Sequence, residues 1–156
     1  WFIAVAMPVL YYGPVYALVL SCFSVGGFLS KYMEGMRTIA ISLVVMIACT
    51  AGLVFARDFI TITILQVILC TGLAVLTIAL EHNLHDHLPS KVRAGASSAV
   101  STLSRILIIP FALLFGFVAE SQNIFDATYL LLLILIIGSI AAILALRVNP
   151  TKIAAS

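Results

Sequence analysis

The stretch Glu81–Gly116, EHNLHDHLPSKVRAGASSAVSTLSRILIIPFALLFG, is the longest polar interruption in an otherwise apolar chain, and it leads into a segment that carries an arginine among apolar residues. It opens with an acidic, histidine-rich helix end, passes through Leu88-Pro89 and two basic residues, Lys91 and Arg93, and continues with Ser98, Ser101 and Ser104. Arg105, Pro110 and Gly116 follow. Ser98, Ser101 and Arg105 recur at steps of three and four, which sets them on one face of a helix. The sequence on either side of this stretch is apolar for some twenty residues at a time, and that decides the fold class.

Charged residues make up 9% of the chain and hydrophobic residues 63%, with a mean hydropathy of +1.25. A soluble domain carries roughly 25% charge, so no water-facing surface can be assembled from this composition. In a bilayer every backbone polar group must be satisfied internally, by helix or by closed barrel. The apolar runs are far longer than barrel strands and do not alternate, which leaves an all-α, polytopic transmembrane helix bundle. Five spans are expected, at about 1–30, 38–56, 59–81, 96–119 and 127–146, with a tail over 148–156. The net charge of +2 gives no basis for a nucleic-acid partner; the partner that composition implies is membrane lipid. The sequence starts at Trp1, with no basic region before its first apolar run, and reads as a piece of a longer protein rather than a chain with a signal peptide.

With five crossings the polar joints alternate sides. Lys31, Arg37, Lys91, Arg93, Arg147 and Lys152 fall on one side and Arg105 lies nearest to it, whereas Arg57 falls on the other with Asp58, Glu120 and Asp126. The positive-inside rule puts the basic side in the cytoplasm, with the C-terminus there too. A multi-pass protein of the cell membrane is expected.

The polar stretch resembles the connection between the tenth and eleventh helices of a major facilitator superfamily transporter. The positions that carry the likeness are Asn83, Pro89, Arg93-Ala94, Ser98, Ser101, Arg105 and Gly116, with Gly95 where the family usually has threonine. A second likeness lies at the end of the first run, where Gly27, Lys31, Gly35 and Arg37 resemble the family's cytoplasmic loop motif. Ser30 or Lys31 stands at its usual aspartate, and Gly35 comes one residue late. The resemblance implies a partial C-terminal half, helices eight to twelve. It implies a secondary transporter moving a small solute by alternating access, an N-terminal half of the same chain as partner, and a central path walled by helices eight, ten and eleven. Carried onto this sequence, the path residues are Tyr12, Tyr16, Gln66, Ser101 and Arg105.

The residues themselves allow further readings. Tyr12 and Tyr16 share a face, as an interfacial belt or as cavity lining. Pro8 and Pro14 are expected to kink the first run. Thr63, Gln66, Cys70, Thr77 and Glu81 lie near one face of the third run, as glue between helices or as path lining. Counting back from Glu120 puts Arg105 roughly 7 Å inside the cytoplasmic edge. There it either snorkels, or makes an ion pair or substrate contact inside the bundle, with Glu81 or Asp86 as candidate partner. Pro110 should bend this helix near its middle. His82, His85 and His87 have the spacing of a weak metal site or a pH sensor, or form an ordinary polar helix end. Cys22, Cys49 and Cys70 follow neither metal nor disulfide spacing. No nucleophile–base set, P-loop or dinucleotide fingerprint occurs, so the expectation is a protein without enzymatic activity or cofactor. The alternative to a transporter is a polytopic assembly or sensory module with a histidine-rich cytoplasmic loop.

Overall fold

A backbone surrounded by hydrocarbon has to spend its hydrogen bonds within the segment, and each of the five apolar runs forms a helix. The computed structural model describes residues 2, 4–32, 36–87 and 89–148. Within them the helices are α1 (Tyr12–Leu29), α2 (Met36–Phe55), α3 (Phe59–His87), α4 (Ser90–Ser121) and α5 (Ile124–Val148), with short 3-10 turns at Val9–Tyr11 and Ser30–Tyr32. All five are long and apolar enough to cross a membrane, and no strand occurs among the described residues. The chain is a multi-pass, all-α membrane bundle.

Three boundaries differ from the sequence expectation, each for a physical reason. The first run is helical only from Val9 onward. Ahead of it residues 4–7 form a turn, with the Met7 N–H donating to the Phe2 carbonyl at 3.1 Å and Ala6 in the left-handed region at φ 51°. Pro8 therefore precedes the helix, in extended backbone, and Pro14 lies in the first turn of α1, where a missing N–H leaves no carbonyl unserved. Neither proline interrupts a helix interior. The polar stretch 81–93, a joint between the crossings, is helical over Glu81–His87, as its histidine-rich helix end implied, and again from Ser90, six residues ahead of the expected span (96 − 90). α3 continues to His87 and α4 begins at Ser90 behind Pro89, because polar residues in water are free to stay helical until a proline disfavours helix in the residue before it. α4 also runs unbroken as one helix through Pro110.

α3 is the hub, packing against α1 on one side and α2 on the other; α2 also packs on α5, and α4 packs on α5 with slight contact to α3. Small residues set the approach. A Cβ at Gly26 would stand 2.5 Å from Ala74 Cβ and 3.0 Å from the Thr71 carbonyl oxygen, so α1 and α3 meet almost backbone to backbone, as membrane helices do where small residues line the seam. On the α2 side, Gly72 admits Met46 and Val45, and Gly52 admits Leu65. Tyr11 stacks on Phe59 with centroids 6.0 Å apart. That pair and Gly26–Ala74 share one sequence offset, 48 (59 − 11 and 74 − 26). α1 and α3 therefore run parallel and in constant register. Leu53, Ala56 and Ile62 form a buried cluster at the α2–α3 turn, onto which Phe2 and Val5 fold. A second cluster, Ile39, Met46 and Leu76, takes Leu135 of α5 against it.

The joints are built from capping groups. Asp58 accepts the Thr61 N–H at 2.7 Å and so closes the start of α3; that backbone hydrogen bond holds its carboxyl below the usual carboxylate range. Asn123 Oδ1 accepts the N–H groups of Phe125 (2.8 Å) and Asp126 (3.0 Å), while its amide donates to the Asp126 carboxylate, a reciprocal cap on α5. Arg57 donates to the Val54 and Ala56 carbonyls at 2.7 and 3.0 Å, and its guanidinium lies 4.0 Å from the centre of the Phe125 ring. The α2–α3 and α4–α5 joints thus meet at one end of the bundle, as alternating crossings require. A double-mutant cycle on Arg57→Ala and Phe125→Leu, read by denaturant unfolding, is expected to give a coupling of about 0.5–1 kcal/mol; additive losses would remove the clasp.

Candidate functional site

Polar groups inside hydrocarbon cost free energy unless something receives them, so the site is sought among those the packing leaves unspent. Most hydroxyls of α2, α3 and α5 are spent locally. Thr50, Thr63, Thr71, Thr77 and Ser139 each donate to the carbonyl four residues back. Of the third-run stripe, that leaves Gln66 as the costly group. It is half-buried on α3, and its amide has no hydrogen-bond partner among the described residues.

The parallel register sets Gln66 near the axial level of Tyr16 on α1. With the offset of 48 given by Gly26–Ala74, Tyr16 is level with Ile64, about 3 Å along the axis from Gln66. Tyr16 is exposed and Tyr12 half-buried, with Tyr12 edge-on to Phe2 at 6.4 Å. Tyr12, Tyr16 and Gln66 therefore belong to one helix pair.

Ser101 and Arg105 belong to another part of the bundle. α4 is covered by little else than α5, and Ser98 through Leu114 are exposed without exception. The helix is continuous from Ser90 to Ser121, which sharpens the depth of Arg105. It lies 12 residues beyond Arg93 and 15 before Glu120 (105 − 93 and 120 − 105), about 18 Å from one charged end and 22 Å from the other at 1.5 Å per residue. With those charged ends at the two faces of a bilayer of about 40–45 Å including headgroups, Arg105 comes near mid-depth; a 20-residue core counted back from Glu120 puts it roughly 7 Å inside the cytoplasmic edge. Arg105 makes no ion pair among the described residues. Glu81 is exposed on α3, and the side chain of Asp86 lies outside the described residues.

The loop-motif residues fall in different surroundings. Gly27 is inside α1, a Cβ there meeting Ile78 at 3.8 Å. Lys31 is exposed in the 3-10 turn, its ammonium 5.9 Å from the Phe28 ring, and Arg37 is exposed in the first turn of α2. Gly35, Trp1 and the tail from 149 lie outside the described residues, as does the side chain of Arg93. Among the histidines, His82 is exposed on α3; His85 and His87 lie on the same helix with side chains outside the described set. Among the described residues no three His, Cys, Asp or Glu side chains come together as metal ligands. Gly26, the most closely approached of the described glycines, was not singled out by sequence as a packing residue, although its spacing from Ser30 and Cys22 on one helix face was there to read.

Neither a family model, nor a curated protein, nor a solved structure matches the chain.

Proposed function

We propose that this chain forms part of a secondary active transporter of the major facilitator type, sitting in the cell membrane with its C-terminus in the cytoplasm and moving a small solute by alternating access. The observation that carries the reading is Arg105. It stands well inside the span, on a helix exposed throughout Ser98–Leu114, and pairs with no acidic side chain among the described residues. Intramembrane cations of that kind mark solute or ion pathways, and transporters keep their sites near the midplane between two repeats. Ser101 stands one turn away on the same face. Gln66 on α3, with Tyr16 and Tyr12 on the helix packed against α3, supplies a second set of polar groups for such a path. The opposite wall in this reading is the other half of the same protein. The resemblance of residues 81–116 to the family's tenth and eleventh helices supports the same conclusion.

Water is the discriminating probe, because a thiol ionises in water and not in hydrocarbon. In the full-length protein in membranes, Ser101→Cys is expected to react with a membrane-impermeant cationic methanethiosulfonate far faster than Leu113→Cys, with unmodified protein as the blank for the native cysteines. Equal and slow reaction at both positions would mean that this face of α4 meets lipid, and would end the transport reading in favour of a non-transport membrane module.

A further inference from the structure

A cavity of about 290 Å³ opens between the end of α1 and the facing sides of α2 and α3. Its walls are apolar apart from two hydroxyls, those of Ser42 and Thr71. Thr71 donates to the Val67 carbonyl at 2.9 Å. Ser42 is only 4% exposed, yet among the described residues its hydroxyl has no partner, not even the carbonyl four residues back that Thr50 and Ser139 use. A buried hydroxyl left unpaired costs about 1–3 kcal/mol, so Ser42 has a free hydrogen to offer whatever enters. The mouth is ringed by Leu29, Ile41 and Ile68, one from each helix and all exposed. Within a membrane-spanning segment that mouth faces lipid chains.

Charge lies directly above it. Arg37, Ile41 and Val45 follow at steps of four on α2, a single stripe, of which Ile41 and Val45 line the cavity. Lys31 stands two residues past the lining residue Leu29. Ser42 is five residues from Arg37, about 7.5 Å along the axis, close to the thickness of one interfacial layer between phosphate and hydrocarbon. On this side of the topology the sequence places Lys31, Arg37, Lys91, Arg93, Arg147 and Lys152 against Glu34, Glu81 and Asp86, a basic excess that attracts anionic lipid.

We infer that this cavity is a binding site for one anionic phospholipid, its acyl chain between α2 and α3, its ester carbonyl accepting the Ser42 hydroxyl, and its phosphate held by Arg37 and Lys31. The apolar walls select a hydrocarbon chain, the hydroxyl selects an acceptor at the chain's head, and the two cations select a negative headgroup one layer higher.

The test uses the full-length protein in phosphatidylcholine nanodiscs doped with phosphatidylglycerol that carries a diazirine beside one ester carbonyl. Photo-adducts are mapped by mass spectrometry. Adducts are expected on the segments 41–45 and 67–75. Ser42→Ala and Arg37→Ala should each lower their yield about fivefold, as for one lost hydrogen bond of ordinary strength, and Ile68→Trp, which fills the mouth, should lower it at least as much. Adducts on Leu133, exposed on α5, should stay constant and report an intact fold. The same diazirine on phosphatidylcholine should label the cavity several times less. Equal labelling by the two lipids, unchanged yield in Ser42→Ala, or displacement of the phospholipid by a free fatty acid would each overturn the assignment. Should Ile68→Trp fail to fold, Ser42→Ala, which removes one oxygen, decides alone.

Discussion

Gly26→Leu is expected to part α1 from α3 and to destabilise the bundle by about 3 kcal/mol, the upper end of the range for overpacking a tight contact. The smallest side chain already has no room: the first carbon added at Gly26 would lie 2.5 Å from Ala74 Cβ and 3.0 Å from the Thr71 carbonyl oxygen, and one of those is backbone and cannot swing aside. Gly26→Ala should then cost about 1–2 kcal/mol. Trimming the opposing carbon in Gly26→Ala/Ala74→Gly should recover part of that loss, leaving the Thr71 contact as the remainder. Gly13, with no atom near its absent Cβ, provides the control, since Gly13→Ala should leave stability nearly unchanged. Denaturant unfolding of the full chain in bicelles measures all four. A Gly26→Leu protein as stable as the parent would mean that the α1–α3 seam is not the close contact described.

Arg105→Ala in the full-length protein is expected to lower transport about 10- to 100-fold, equivalent to losing one charge-assisted contact of about 1.5–3 kcal/mol, while insertion and abundance stay normal. Uptake and efflux across cells, scored on solutes that the parent protein moves, would report it. Arg105→Lys keeps the charge and loses the planar fork, so a partial recovery would locate the role in charge and continued failure in bidentate geometry. The competing account makes an opposite forecast. If Arg105 merely faced lipid, Arg105→Leu would stabilise the protein by up to about 2.5–3.5 kcal/mol, the insertion cost of a central arginine, and transport would be unaffected. Stability and transport therefore move in different directions under the two accounts.

The number of crossings and their alternation were legible in sequence because they depend on hydropathy summed over twenty residues, a quantity that tertiary contacts do not alter. Which faces meet was not legible. α1, α2 and α5 are apolar all round, so no amphipathic stripe marks the packed side. Gly27, just ahead of Lys31, reads as part of a loop motif at the end of the first span, and only the approach of Ala74 identifies Gly26 as a seam residue. The helical end at Glu81–His87 was legible as an acidic, histidine-rich helix end, but the start of α4 as early as Ser90 was not. Polarity says where hydrocarbon ends, not where the backbone stops coiling, and nothing before Leu88-Pro89 opposes a helix. The caps at Asp58 and Asn123 carried a readable signal, a short polar side chain just ahead of an apolar run. Of the path candidates, Gln66 and Arg105 could be picked out by their cost in hydrocarbon. That α4 rests on α5 and not on the α1–α3 pair could not be read from spacing.

The hub position of α3 has a consequence for synthesis. Its two neighbours both precede it in the chain, so the α1–α2–α3 contacts are complete as soon as α3 has left the ribosome. α4 leans on α5, which is translated after it. The newborn arginine-bearing segment therefore waits in the bilayer without its main companion for the time needed to make some thirty further residues, and this interval is when quality-control proteases would find the protein easiest to seize.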